Sequence, residues 1–158
     1  MTTSYRLELV VTKEGQSYYP PVGTVEKLSS DNAGYDLKVV VNQVPTDTAK
    51  LVPLGVKARM VTLPDGQDCH FTLEPRSSIY KTGFMMANGR GIIDKTYRGQ
   101  LMAPVITVSL IGQTSIEAGT RLFQIIAPGL GHIAEVAYVD SLPDSVRGEG
   151  GFGSTGNK

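Results

Sequence analysis

The chain has 158 residues, 41% of them hydrophobic, which suits one domain with a core of its own. Its 15 basic and 15 acidic residues cancel, so the electrostatic footprint of a nucleic-acid polymer binder is absent, although a small anionic ligand needs only local positive charge. The one cysteine, Cys69, excludes an intrachain disulfide and reads as a packed small hydrophobe, and no apolar run is long enough for a membrane-spanning helix.

Taken in chain order, Met1–Arg6 carries no apolar signal core, so a cytoplasmic or nuclear location is expected rather than secretion. Leu7–Val11 alternates, with Leu7, Leu9 and Val11 on one face of a strand. Asn42–Thr48 reads as a loop. Val56, Ala58 and Met60 define the inner face of a second strand, followed by a loop at Leu63–Asp68. Phe71–Leu73 is a third strand candidate. One or two helical turns are expected after Ser77-Ser78, with a serine as N-cap. Leu101–Leu110 is a long apolar run in which Pro104 predicts an edge strand or a break. Leu122–Ile126 and Ile133–Val139 complete the strands. Many short strands with almost no helix predict an all-β, jelly-roll-like barrel over residues 1–139. Residues 140–158 read as an extended C-terminal arm with little to fold against locally.

Five short motifs carry possible chemistry. Asp36, in Ala33-Gly34-Tyr35-Asp36-Leu37, is either a strand-start aspartate or a group placed for a ligand. Arg76-Ser77-Ser78 sets a cation and two hydroxyls at the start of a helical turn. Free N–H groups there favour phosphate, but a cap plus a surface ion pair reads equally well. Asp94, in the stretch Asn88 to Gly99, either bonds its own turn backbone or activates a water. Gln124 lies between the apolar residues Phe123 and Ile125, so if it faces inward its amide needs partners. The tail Arg147-Gly148-Glu149-Gly150-Gly151-Phe152-Gly153-Ser154-Thr155-Gly156 combines a guanidinium fork, glycines that leave backbone N–H groups open, an aromatic face and two hydroxyls. Taken alone, its composition is also that of a loose Gly/Ser terminus. His70 and His132 are isolated and read as surface or strand residues, and no metal-ligand spacing is present.

In their order and spacing, these five motifs resemble those of the trimeric deoxyuridine triphosphatases (dUTPases), over about residues 25–156. The resemblance implies a β-clip, jelly-roll-like homotrimer that hydrolyses dUTP to dUMP and pyrophosphate with Mg²⁺ held mainly by substrate phosphates and water. It implies that Asp94 is the general base and that Tyr97 packs on the deoxyribose. Asn88, Gly91 and Ile93 would form the uracil pocket. Arg76, Ser77, Ser78 and Gln124 would serve the phosphates, and Asp36 would support the metal's water shell. In the arm, Arg147 would hold the γ-phosphate and Phe152 would cover the base, while Gly153, Ser154 and Thr155 would close over the phosphates. Motifs one, two and four would come from one chain, motif three from a neighbour and the arm from the remaining chain.

The chain departs from the family pattern at Ser78, where glycine is usual, and at Lys95-Thr96, where small or acidic residues are usual. Lys95 adds charge beside Asp94. The competing readings are a dCTP deaminase of the same fold, which needs a catalytic glutamate in the base pocket, and a regulatory nucleotide-sensing protein.

Overall fold

The computed structural model describes residues 2–109 and 112–151. Among them lie eleven strands: β1 Ser4–Val11, β2 Val25–Lys27, β3 Gly34–Leu37, β4 Lys50–Leu63, β5 Asp68–Cys69, β6 Phe71–Pro75, β7 Phe84–Met86, β8 Gly91–Ile93, β9 Gln100–Thr107, β10 Phe123–Ile126 and β11 His132–Tyr138. The only helical pieces among these residues are short 3-10 turns at Lys13–Gly15, Ser77–Lys81 and Pro128–Leu130. The strands form two sheets, one with the order β2-β11-β1-β4-β9-β7 plus β5 on β4, the other with the order β3-β10-β6-β8.

Alternation in the sequence becomes burial in the sheets. Tyr5, Leu7 and Leu9 of β1 and Val56, Ala58 and Met60 of β4 turn inward, and Leu9 stands opposite Ala58 in the antiparallel ladder. From the second sheet, Phe71, Leu73, Phe123 and Ile125 fill the same core. The period of two puts these side chains on one face and leaves Thr72, Glu74 and Gln124 on the other. Burial of these aliphatic and aromatic side chains, at about 1.5–3 kcal/mol each, is what holds the sheets together.

Three expectations need correction. Pro104 does not mark an edge, because β9 is flanked by β4 and β7. The β7 ladder stops at Met86 opposite Val105, and beyond it Pro104 is asked only for its carbonyl, which accepts from Ala87 N–H at 2.8 Å. The serine cap after β6 is also absent. Arg76 holds the cap position of the 3-10 turn with no side-chain cap bond, and Ser77 is already inside the turn. Finally, the segment after β11 does have something to fold against. Its described portion packs on residues 94–98 of its own chain, as set out below.

Candidate functional site

The four-stranded sheet carries two groups of polar residues on opposite faces. On the outer face, Asp36 and Gln124 are register partners across β3 and β10, and Gln124 faces Glu74 of β6. Arg76, just past β6, reaches back with Nε 3.1 Å from Asp36 Oδ1, and its Nη1 donates to Arg121 O at 3.0 Å. Gln124 Nε2 donates to Pro75 O at 3.2 Å. Gly34 leaves room for this amide, since a Cβ there would lie 1.9 Å from Gln124 Oε1. Asp36, Arg76, Ser77 and Gln124 line a cleft of about 670 Å³. Ser78 does not line it. Tyr35 and Tyr138 close the floor, sharing a hydroxyl–hydroxyl bond, with Tyr35 also donating to Glu26 Oε2 at 3.1 Å. Burial and these bonds push the Tyr35 phenol far above its ordinary range, and burial first of all pushes Tyr138 up to about 12. Both therefore stay neutral donors at physiological pH.

The second cleft, of about 300 Å³, opens on the inner side of β6 and β8. Leu73, Met86, Gly91, Ile93 and Leu101 give it an apolar floor, and Asn88, Asp94, Tyr97 and Arg147 give it polar groups. A largely apolar pocket with a few convergent polar groups is the usual form of a small-molecule site. Asp94 directly follows β8 and begins a turn closed by Tyr97 N–H donating to Asp94 O at 2.9 Å. The backbone thus satisfies its own turn, and the Asp94 carboxylate points away to Arg147, with Oδ2 2.7 Å from Nη1. Tyr97 is buried, and its hydroxyl donates to Gln100 O at 2.8 Å. Burial raises its pKa, and the nearby Glu149 carboxylate adds to the shift. Its ring lies against Gly151, where a Cβ would come within 2.8 Å of the ring.

The structure therefore brings Asn88, Gly91, Ile93, Asp94, Tyr97 and Arg147 to one cleft and Asp36, Arg76, Ser77 and Gln124 to another. The two clefts share no lining residue. Phe152, Gly153, Ser154 and Thr155 lie outside the described residues. Among those residues, no group of three or more His, Cys, Asp or Glu side chains is placed to hold a metal ion. A Mg²⁺ ion that keeps its waters and binds through substrate phosphates needs no such cage.

Two sets of contacts beside this cleft are not evident from sequence. His70 is not isolated: its Nδ1 accepts from Lys95 N–H at 2.9 Å and lies 3.7 Å from Asp94 Oδ1. Arg98 ties Lys95 O, Tyr97 O and Pro143 O together. A histidine between two strands and an arginine in a charged turn carry no local signal that separates them from solvated side chains, because their partners are distant in sequence.

Such a fold and such clefts define a class of protein: an all-β protein with a base-sized pocket beside an acidic group, and a separate set of groups suited to phosphate. The dUTPase family model matches residues 22–156. The deoxyuridine 5'-triphosphate nucleotidohydrolase of Wolinella succinogenes is 37% identical over 131 residues, covering 81% of this chain and 83% of that protein. That of Xanthomonas campestris pv. campestris is 32% identical over 99% of both chains. The crystal structure of dUTPase from Streptococcus mutans superposes with a TM-score of 0.57 at 25% identity, covering 87% of this chain and 99% of that one. The chain belongs to the dUTPase family.

Proposed function

We propose that the chain performs the general reaction of its family, hydrolysis of dUTP to dUMP and pyrophosphate, with uracil and deoxyribose in the Asp94–Tyr97 cleft. The observation that supports this most is the convergence of Asp94, Tyr97, Asn88 and Arg147 on one cleft of about 300 Å³. Asp94 has its carboxylate free of its own turn, so it can accept a proton from a water directed at the α-phosphorus. Tyr97 stays protonated, and its hydroxyl is engaged by Gln100 O, so its ring packs flat on the sugar and leaves no space for a 2′-hydroxyl. Asn88, through an amide that both donates and accepts, reads the pyrimidine edge, and the hairpin backbone at Gly91–Ile93 crowds out a 5-methyl group. Asp36 would support the water shell of a Mg²⁺ ion carried by the triphosphate, and that ion would supply charge neutralisation for the leaving pyrophosphate. Arg76, Ser77 and Gln124 steady the phosphates, and Arg147 exchanges Asp94 for the γ-phosphate when substrate enters.

One chain cannot supply all of these groups to one ligand, because Gln124 and Asp36 face away from the side of the sheet where Asp94 and Tyr97 stand. This supports an assembly in which sites are shared, and we propose the homotrimer. Leu51, Met85, Pro104 and Ile106 offer a contact surface. They are cross-strand neighbours on the outer face of β4, β9 and β7, with Leu51 45% and Met85 44% exposed.

A nucleotide panel tests the reaction. Incubation with dUTP, dCTP, dTTP and UTP in Mg²⁺ is expected to yield pyrophosphate from dUTP alone and ammonia from none. Ammonia from dCTP would establish the deaminase reading, and tight dUTP binding without turnover would establish the sensing one. Gly34→Ala probes the phosphate side. The new methyl must displace the flexible end of Gln124, so the fold should persist while KM for dUTP rises about tenfold, the effect of losing roughly 1.4 kcal/mol of phosphate contact. An unchanged KM would remove Gln124 from the phosphate site.

A further inference from the structure

His70 lies between β5 and β6, one residue before Phe71, which pairs with Ile93 across the β6–β8 ladder. Carried one step further, the same antiparallel register sets His70 opposite Asp94. Two contacts result. His70 Nδ1 accepts from Lys95 N–H at 2.9 Å and stands 3.7 Å from Asp94 Oδ1. The first is a hydrogen bond, and the second is too long to be one. Because Nδ1 accepts, the ring is neutral and its proton sits on Nε2. The bond falls on the residue directly after Asp94, at the entry to the turn that Tyr97 N–H closes on Asp94 O. It therefore fixes the direction in which the backbone leaves Asp94, and the carboxylate with it. The other charged groups around the ring have partners of their own or face solvent. Glu74 and Arg90 line the groove beside His70 but pair with each other at 3.3 Å. Asp68 of β5 is held by Arg59 at 2.6 Å. Arg147 meets the second oxygen of Asp94, Oδ2, and Lys95 is exposed.

From this we propose that His70 is a positioning residue for Asp94 and, once protonated, a brake on it, which rests on the reading of Asp94 as the general base. An imidazole takes up its second proton between about pH 8 and 5. A protonated Nδ1 can no longer accept from Lys95 N–H, so the tie at the entry to the turn is lost. The new N–H turns instead to Asp94 Oδ1. Closing from 3.7 Å to the roughly 2.8 Å of a charge-assisted bond asks for a shift of about 1 Å in a ring that is 60% exposed. Both changes act in the same direction. The carboxylate loses its support, and the oxygen that would take a proton from water is occupied by a donor. Turnover is therefore full where the ring is neutral and falls as pH drops through the imidazole range. Without the imidazole, only protonation of the carboxylate itself ends its service as a base, and carboxylates as a class protonate at lower pH than imidazoles.

Two substitutions separate the two roles. His70→Asn puts an amide oxygen near the place of Nδ1, so Lys95 N–H keeps an acceptor that cannot become charged. His70→Ala removes acceptor and charge together, at an exposed position outside the core. At about pH 8, His70→Ala is expected to lower kcat for dUTP about tenfold with KM unchanged, and His70→Asn to restore most of that loss. As pH is lowered to about 5.5, wild-type kcat should fall while that of His70→Asn holds, so its acid limb lies at least about one pH unit lower. Nitrogen NMR of the two imidazoles, His70 and His132, reports the tautomer directly, and an Nε2-protonated His70 is expected at about pH 8. Unchanged kcat in His70→Ala would overturn the positioning role, as would a ring protonated on Nδ1. Coincident pH profiles for wild type and His70→Asn would overturn the brake. Each of these leaves Asp94 standing as the base. Wild-type turnover in Asp94→Asn, assayed beside them, would overturn the base itself and the role of His70 with it.

Discussion

Asp94→Asn is expected to fold, to bind a non-hydrolysable dUTP analogue, and to lose turnover by about 10²- to 10⁴-fold, the range that a positioned general base contributes. The fold should survive because nothing in the core depends on the charge. Tyr97 N–H bonds the Asp94 backbone carbonyl, not the side chain, and the side chain is 37% exposed. An amide in its place still accepts from Arg147 through its oxygen, so the arm keeps its latch with a weaker partner. Only proton acceptance is removed. Turnover near wild type would rule Asp94 out as the base and turn attention to His70, whose ring lies 3.7 Å away. Circular dichroism and calorimetric titration with the analogue, run beside the pyrophosphate assay, separate loss of chemistry from loss of fold or binding.

What the sequence made legible was local and periodic. The strands at Leu7–Val11, Val56–Met60 and Phe71–Leu73 follow from alternation, because burying one face of a sheet forces a period of two. Pro104 misled that reasoning, because a missing N–H matters only on the side where a ladder runs, and the end of β7 is set by tertiary pairing. The serine cap failed for a related reason: whether Arg76 or Ser77 occupies the cap depends on how β6 ends against Leu122, where Arg76 N–H donates at 2.8 Å. Motif order was enough to gather the pocket residues, since Asn88 to Tyr97 form one hairpin and turn. It could not show that Asp36 and Gln124 face the opposite way, because the face of a strand is fixed by register with partners far off in the chain. Nor could it show the bonds that Arg98, His70 and Lys57 make beside the cleft, as each pairs with a group 25 to 92 residues away.

Deleting residues 147–158 should leave the assembly and its melting temperature almost unchanged while lowering kcat/KM about a hundredfold, the scale of losing a closing element that positions the reactants. The small stability effect follows from exposure. The Arg147 and Asp94 side chains are 26% and 37% exposed, and such pairs contribute about 0–1 kcal/mol. Holding the arm in place costs about 1–2 kcal/mol of backbone entropy per residue, so its removal sacrifices little net free energy. The kinetic effect is large for a different reason. On the proposed reading Arg147 gains the γ-phosphate when substrate is present, a charge-assisted partner stronger than a neutral one, so the arm's contacts multiply. The split between constants is diagnostic. If the arm only binds, KM should rise with kcat preserved; if it also excludes water and sets the phosphates in line, kcat must fall too, and this second outcome is expected from its position over Asp94 and Tyr97. An unaffected rate in the truncated chain would show that the arm has no part in the reaction, whichever chain it lies on.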